Sequence, residues 1–101
     1  VAQGIGNAFY EQIIYSEEGQ LLTGSFMDYL LPTALDVPRV EIDHEVTPSP
    51  LNPLGIKGAG EAGAIPTGPL FAQAVEDALN DPGLEIRQIP LSPSKLWELT
   101  R

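Results

Sequence analysis

Between residues 48 and 69 the chain concentrates five of its ten prolines (Pro48, Pro50, Pro53, Pro66, Pro69) and five of its ten glycines (Gly55, Gly58, Gly60, Gly63, Gly68). Proline removes a backbone donor and fixes φ, and glycine weakens helices and strands alike. Neither a long helix nor a central strand can run through such a stretch. A compact domain rarely keeps a loop this long unless it is functional or disordered. The interior of the stretch carries Leu51, Leu54 and Ile56 and almost no charge apart from Lys57 and Glu61, unlike a disordered linker, which is polar and charged. An ordered loop that lies against something is expected, and the rest of the fold must come from the segments on either side.

Upstream, Ile5, Ala8, Phe9 and Ile13 recur at helical spacing and predict a helix over residues 2–12. Gly4 and Gly6 weaken it and mark a place where something approaches the backbone closely. Ser16-Glu17-Glu18-Gly19 suits a turn with Gly19 left-handed, so a hairpin is expected around it. Pro32 and Pro38 argue against a long helix between Thr23 and Pro38. Val40, Ile42, His44 and Val46 alternate with Glu41, Asp43 and Glu45, which predicts a strand over 40–46 with one buried face. On that face His44 is expected as a packed, hydrogen-bonded histidine rather than a ligand. Downstream, Phe71, Ala74, Val75, Ala78 and Leu79 predict a helix over 69–80, stopped by Asn80-Asp81-Pro82-Gly83. Leu84 to Arg87 alternate as a short strand near 84–88. Ser92-Pro93 supplies an N-cap and a first-position proline for a helix over 93–100. The expected class is α+β: a small domain with two to three helices, a hairpin and a short mixed sheet, plus a long Gly/Pro-rich loop as the candidate active-site loop.

Charge and composition narrow the function. Fourteen acidic residues face five basic ones, for a net charge of −9. Nucleic-acid binding needs clustered cations to displace counterions, and an anionic membrane surface makes the same demand. The chain has no cysteine and a single histidine, which excludes disulfides, iron–sulfur ligation and multi-histidine metal sites within it. No apolar run approaches the roughly 20 residues of a membrane span. A length of 101 residues suggests one domain. The start at Val1, without an initiator methionine, reads as a piece of a longer protein.

The stretch Gly55-Ile56-Lys57-Gly58-Ala59-Gly60-Glu61-Ala62-Gly63 carries the chemistry. Gly58, Gly60 and Gly63 formally match a dinucleotide fingerprint. That fingerprint must come after a buried strand and open a helix, whereas here a proline-rich loop precedes it and Pro66 interrupts the residues beyond it. A carboxylate inside the glycine turn would also repel a pyrophosphate. Glu61 is a lone acid flanked by small residues, so the backbone can press against a large ligand while one carboxylate projects. Burial among small apolar groups would raise its pKa toward the range useful to a general base. On the residues alone, a solvated loop glutamate stands beside that possibility.

The segment Gly55 to Gly63 resembles the active-site loop of the molybdenum hydroxylase large subunits, the xanthine oxidase, aldehyde oxidase and carbon monoxide dehydrogenase family. In that family a Lys-x-x-Gly-Glu pattern presents the essential glutamate; here it reads Lys57-Gly58-Ala59-Gly60-Glu61. Val1-Ala2-Gln3-Gly4-Ile5-Gly6 is similar to the family's glycine-rich helix start near the pterin. Leu22 to Tyr29 and Val46 to Pro53 resemble the carbon monoxide dehydrogenase branch, and Pro90-Leu91-Ser92-Pro93 with its Trp-bearing helix resembles the family's C-terminal end. Xanthine and aldehyde oxidases have two prolines directly after the glutamate, whereas this chain has Ala62-Gly63, which favours the carbon monoxide dehydrogenase-like branch.

The resemblance implies that residues 1–101 form the C-terminal part of a molybdopterin-binding domain, inactive in isolation. It implies a molybdenum–pterin cofactor, held by its dithiolene and bound mainly by upstream residues, with no metal ligand in this chain. Glu61 would act as general base toward a molybdenum-bound hydroxide that attacks a small-molecule substrate, with hydride passing to a sulfido ligand, or would orient and deprotonate the equatorial oxygen in carbon monoxide oxidation. The backbone at Gly58, Ala59 and Gly60 would close on the cofactor. Gln3 would offer its amide to the pterin, or else bond backbone as a helix-start residue. The implied partners are the rest of the large subunit and the flavin and iron–sulfur subunits or domains, which carry FAD and the clusters. The implied location is cytoplasmic, or peripheral to the inner membrane face. A different class of function, a non-catalytic interaction module whose Gly/Pro loop binds peptides, stands as the alternative.

Overall fold

A computed structural model describes residues 1–101. Its elements are α1 (Ala2–Phe9), α2 (Thr67–Leu79) and α3 (Pro93–Leu99). The helices anticipated over 2–12, 69–80 and 93–100 are all present. The first is shorter, because after the Tyr10 amide bonds to the Gly6 carbonyl the chain turns away. The second starts two residues earlier, at Thr67.

Local chemistry accounts for two of the helix ends. Asn80, left-handed at φ 50°, closes α2 while its amide donates to the Glu76 carbonyl, a conformation asparagine tolerates better than most residues. The Ser92 hydroxyl accepts the Lys95 amide ahead of Pro93 and caps α3. The hairpin also forms, reduced to one antiparallel bridge between Tyr15 and Leu21. Gly19 takes φ 83°, as the turn requires. The Ser16 hydroxyl accepts the Glu18 and Gln20 amides within the turn.

The short mixed sheet does not form. Residues 40–46 run without helix, turn or bend and make no backbone pairing in this chain, and His44 is exposed instead of packed; its amide donates to the Asp43 side chain. A strand needs a neighbour for its backbone groups, and these 101 residues provide none at that edge. The expected strand at 84–88 is also absent, because the Ile86 amide donates to the Glu76 side chain on α2. A side-chain acceptor thus takes the place of a strand partner.

The core lies where α1 crosses α2. Ile5, Ala8, Ala72 and Leu91 are its buried apolar side chains. Phe9 and Phe71 meet edge to face with ring centroids 5.0 Å apart, a favoured aromatic geometry. The Leu91 amide donates to the Ala8 carbonyl at 2.7 Å, which draws the segment before α3 onto the end of α1. Small residues make the crossing close. A Cβ on Gly4 would lie 2.1 Å from the Thr67 hydroxyl oxygen, and one on Gly6 would lie 2.9 Å from Pro32. The close approach expected at the α1 glycines is therefore made, at least in part, by the protein itself.

Candidate active site

Glu61 sits within a run of turns, closed first by the Ala62 amide on the Ala59 carbonyl, that feeds directly into α2. Its carbonyl accepts both the Ala64 and the Ile65 amides, at 2.9 and 3.0 Å. The Thr67 amide and hydroxyl both donate to the Ala64 carbonyl, and Thr67 is the first residue of α2. The backbone of Glu61 is thereby anchored at the head of the helix while its side chain stays exposed. The burial among small groups anticipated for it is not supplied by this chain.

The Gly4–Thr67 contact places the start of α1 beside this turn. As a result Gln3 and Glu61 line one groove of about 320 Å³, together with Asn7, Thr67 and Ile89 among others. These two site residues come together although 57 positions intervene between them. Neither the Gln3 nor the Asn7 side-chain amide is hydrogen-bonded within the chain, so both have donors and acceptors to offer. Asn7 was not singled out from the sequence. Its signal was its position one helical turn beyond Gln3, on the same face.

A distinct loop precedes this turn series. Residues 49–56 form a self-braced loop: the Ser49 amide donates to the Gly55 carbonyl and the Gly55 amide to the Asn52 carbonyl, both at 3.1 Å. The Asn52 side chain donates to the Ile56 carbonyl and accepts the Ile56 amide, each at 2.9 Å. Gly55 sits at φ 67°, and a Cβ there would meet Pro48 at 2.8 Å, so glycine is required. The Lys57 ammonium donates to the Thr47 hydroxyl at 2.7 Å.

Beyond Lys57 the constraints change. A Cβ on Gly58 or Gly60 would meet nothing within 4 Å, and neither residue has a positive φ. Nothing inside this chain requires glycine at those two positions. Gly63 differs, since a Cβ there would come 3.0 Å from the Val1 nitrogen. Gln3 and Glu61 thus face one groove, and the exposed Gly58-Ala59-Gly60 backbone directly precedes Glu61 in the chain. No three His, Cys, Asp or Glu side chains cluster in a way that could hold a metal ion.

Residues 1–38 match the family described as a molybdopterin cofactor-binding domain. The chain is 46% identical to the 6-hydroxypseudooxynicotine dehydrogenase complex subunit gamma of Paenarthrobacter nicotinovorans, over 94% of this chain and 12% of that protein. It is 41% identical to the carbon monoxide dehydrogenase large chain of Afipia carboxidovorans, over 91% of this chain and 11% of that one. The crystal structure of quinoline 2-oxidoreductase from Pseudomonas putida 86 superposes with a TM-score of 0.88 at 44% identity, over 98% of this chain and 13% of that chain. The chain belongs to the molybdenum hydroxylase large-subunit family, with carbon monoxide dehydrogenase large chains among its relatives. It spans about 12% of the length of the first of these relatives. This molybdenum hydroxylase segment has no helix long and apolar enough to cross a membrane.

Proposed function

We propose that the chain is the C-terminal part of the molybdopterin-binding domain of a molybdenum hydroxylase large subunit, and that Glu61 is its catalytic base. The observation that carries this is that Glu61 and Gln3 line one groove at the α1–α2 crossing, with the exposed, unobstructed Gly58–Gly60 backbone directly ahead of Glu61 in the chain. When bound, the molybdenum–pterin cofactor supplies the two-electron oxidation of a small-molecule substrate. Glu61 takes up the proton released as oxygen joins the substrate carbon. Its carbonyl anchors fix the main chain, so only side-chain torsions remain to be set. Gln3 presents its amide to the pterin edge, and residues 58–60, lacking bulk, let the backbone lie against the cofactor. The rest of the large subunit covers the groove and contributes most cofactor contacts. FAD and iron–sulfur clusters in partner subunits or domains carry electrons onward, in a cytoplasmic assembly. The isolated segment is inactive.

The test is Glu61→Gln in the full-length enzyme. Glutamine keeps the size and removes the base, so turnover should fall by roughly 10²–10⁴-fold, as for a lost general base. Molybdenum content should be unchanged. A fully loaded Glu61→Gln enzyme with near-normal turnover would remove Glu61 from the mechanism.

A further inference from the structure

Residues 37–48 make no hydrogen bond between backbone groups, either as donors or as acceptors. Within this stretch the period-two alternation is strict: Val40, Ile42, His44 and Val46 against Glu41, Asp43 and Glu45. Ile42 is 78% and Val46 79% exposed. Backbone groups are obligatory hydrogen-bonding groups, and alternation of this kind belongs to a sheet with one covered face. An unpaired, half-apolar extended segment is the edge that a neighbouring strand recognises.

We infer that residues 40–46 pair as a β-strand with a strand from the remainder of the large subunit, with Val40, Ile42, His44 and Val46 on the covered face. The inference rests on the reading under Proposed function, that the segment belongs to a longer chain. The superposition favours an occupant from a longer chain. This chain traces the path of 13% of quinoline 2-oxidoreductase with a TM-score of 0.88 over 98% of its own length. The course of residues 38–48, without helix, turn or bend, is thus the course taken within a chain several times longer. A second copy of this segment is a poor occupant. Pairing two such strands would set the acidic rows of Glu41, Asp43 and Glu45 side by side, and like charges in adjacent strands destabilise the pair.

Hydrogen exchange read by mass spectrometry on the full-length, molybdenum-loaded enzyme tests the inference. Peptides covering 39–47 should be protected to the level of the α2 peptide 70–79. Exchange as fast as that of the turn at 16–20 overturns it. Protection that appears only at raised protein concentration also overturns it, by assigning the edge to a second copy. Face assignment comes from two variants: Ile42→Lys should abolish protection of 39–47, and Asp43→Lys should retain it. Equal or reversed effects overturn the facing. Since Ile42→Lys can prevent folding altogether, the wild-type protection and the Asp43→Lys result stand as independent tests. Failure here is distinguishable from failure of the catalytic assignment. Unprotected 39–47 in an enzyme that Glu61→Gln inactivates removes only the strand, whereas protected 39–47 in an enzyme indifferent to Glu61→Gln removes only the base.

Discussion

At the residue scale, the glycines divide into those the chain needs for itself and those it does not. Gly4 belongs to the first group, because a Cβ would overlap the Thr67 side chain. Gly4→Ala should destabilise the α1–α2 crossing by about 1–3 kcal/mol, as overpacking does, and amide-exchange protection of α1 and α2 in the full-length enzyme would measure it. Gly58→Ala meets open space and should leave that stability within about 0.5 kcal/mol. In the full-length enzyme the same Gly58→Ala should lower molybdenum content if the backbone there lies against the cofactor. Two tyrosine–carboxylate pairs also act at this scale. Tyr10 donates to Asp36 at 3.1 Å and Tyr29 to Glu11 at 3.0 Å, tying the 24–36 segment to the end of α1. The Thr33 hydroxyl and amide, with help from Tyr10, hold the Asp36 carboxyl below its ordinary range. A depressed folded-state pKa means stability that is present above the ordinary carboxylate pKa and lost as pH falls through the depressed one. Thr33→Val should therefore raise the Asp36 midpoint more than Tyr10→Phe does, as carboxyl-carbon NMR titration would show. Equal shifts would mean that Thr33 is not the leading cause.

At the scale of elements, the loop from 48 to 66 is two devices joined at Lys57. The first part is braced by Asn52, which clasps the Ile56 amide and carbonyl. Asn52→Ala removes both bonds, each worth about 0.5–1.5 kcal/mol net, and should speed exchange of the Ile56 amide while leaving α2 unchanged. Unaltered Ile56 exchange would show that the Ser49–Gly55 closure suffices alone. The second part is the turn series from Ala59 to Pro66 that delivers Glu61 to the head of α2. That continuity was hidden in the sequence. Pro66 reads as an interruption, yet it stands at the N-cap of α2, and a proline at the start of a helix costs little, because the amides there have no intrahelical acceptor.

Across the whole molecule, size and burial disagree with an independent domain. The Cα radius of gyration is 17.3 Å, with extents of 53 × 37 × 27 Å, against about 13 Å for a compact chain of 100 residues. Eight of 101 residues are buried. Leu35, Leu51, Leu54, Phe26 and Met27 all lie open, and exposed apolar surface on that scale marks an interface. A segment shaped to be enclosed should not collapse onto itself without losing its path. Small-angle scattering of the isolated chain should give a radius no smaller than 17.3 Å. A value near 13 Å would show a compact domain of another shape.

Much of this protein was legible in the chain itself. Helical spacing, the Ser92-Pro93 cap, the Asn80 stop and the Gly19 turn are each decided by a few neighbouring residues, and all four appear where the sequence places them. Lys57 to Glu61 and the α1 start carried the family likeness in the same way. Pairing was not legible. The alternation at 40–46 specifies a face and a period but names no neighbour, because the partner of a strand lies at no fixed distance along the chain. Nor does local sequence reveal that Gly4 makes room for Thr67, or that Gln3 consequently stands beside Glu61. Those are contacts between segments more than fifty residues apart, and only the crossing of α1 and α2 brings them together.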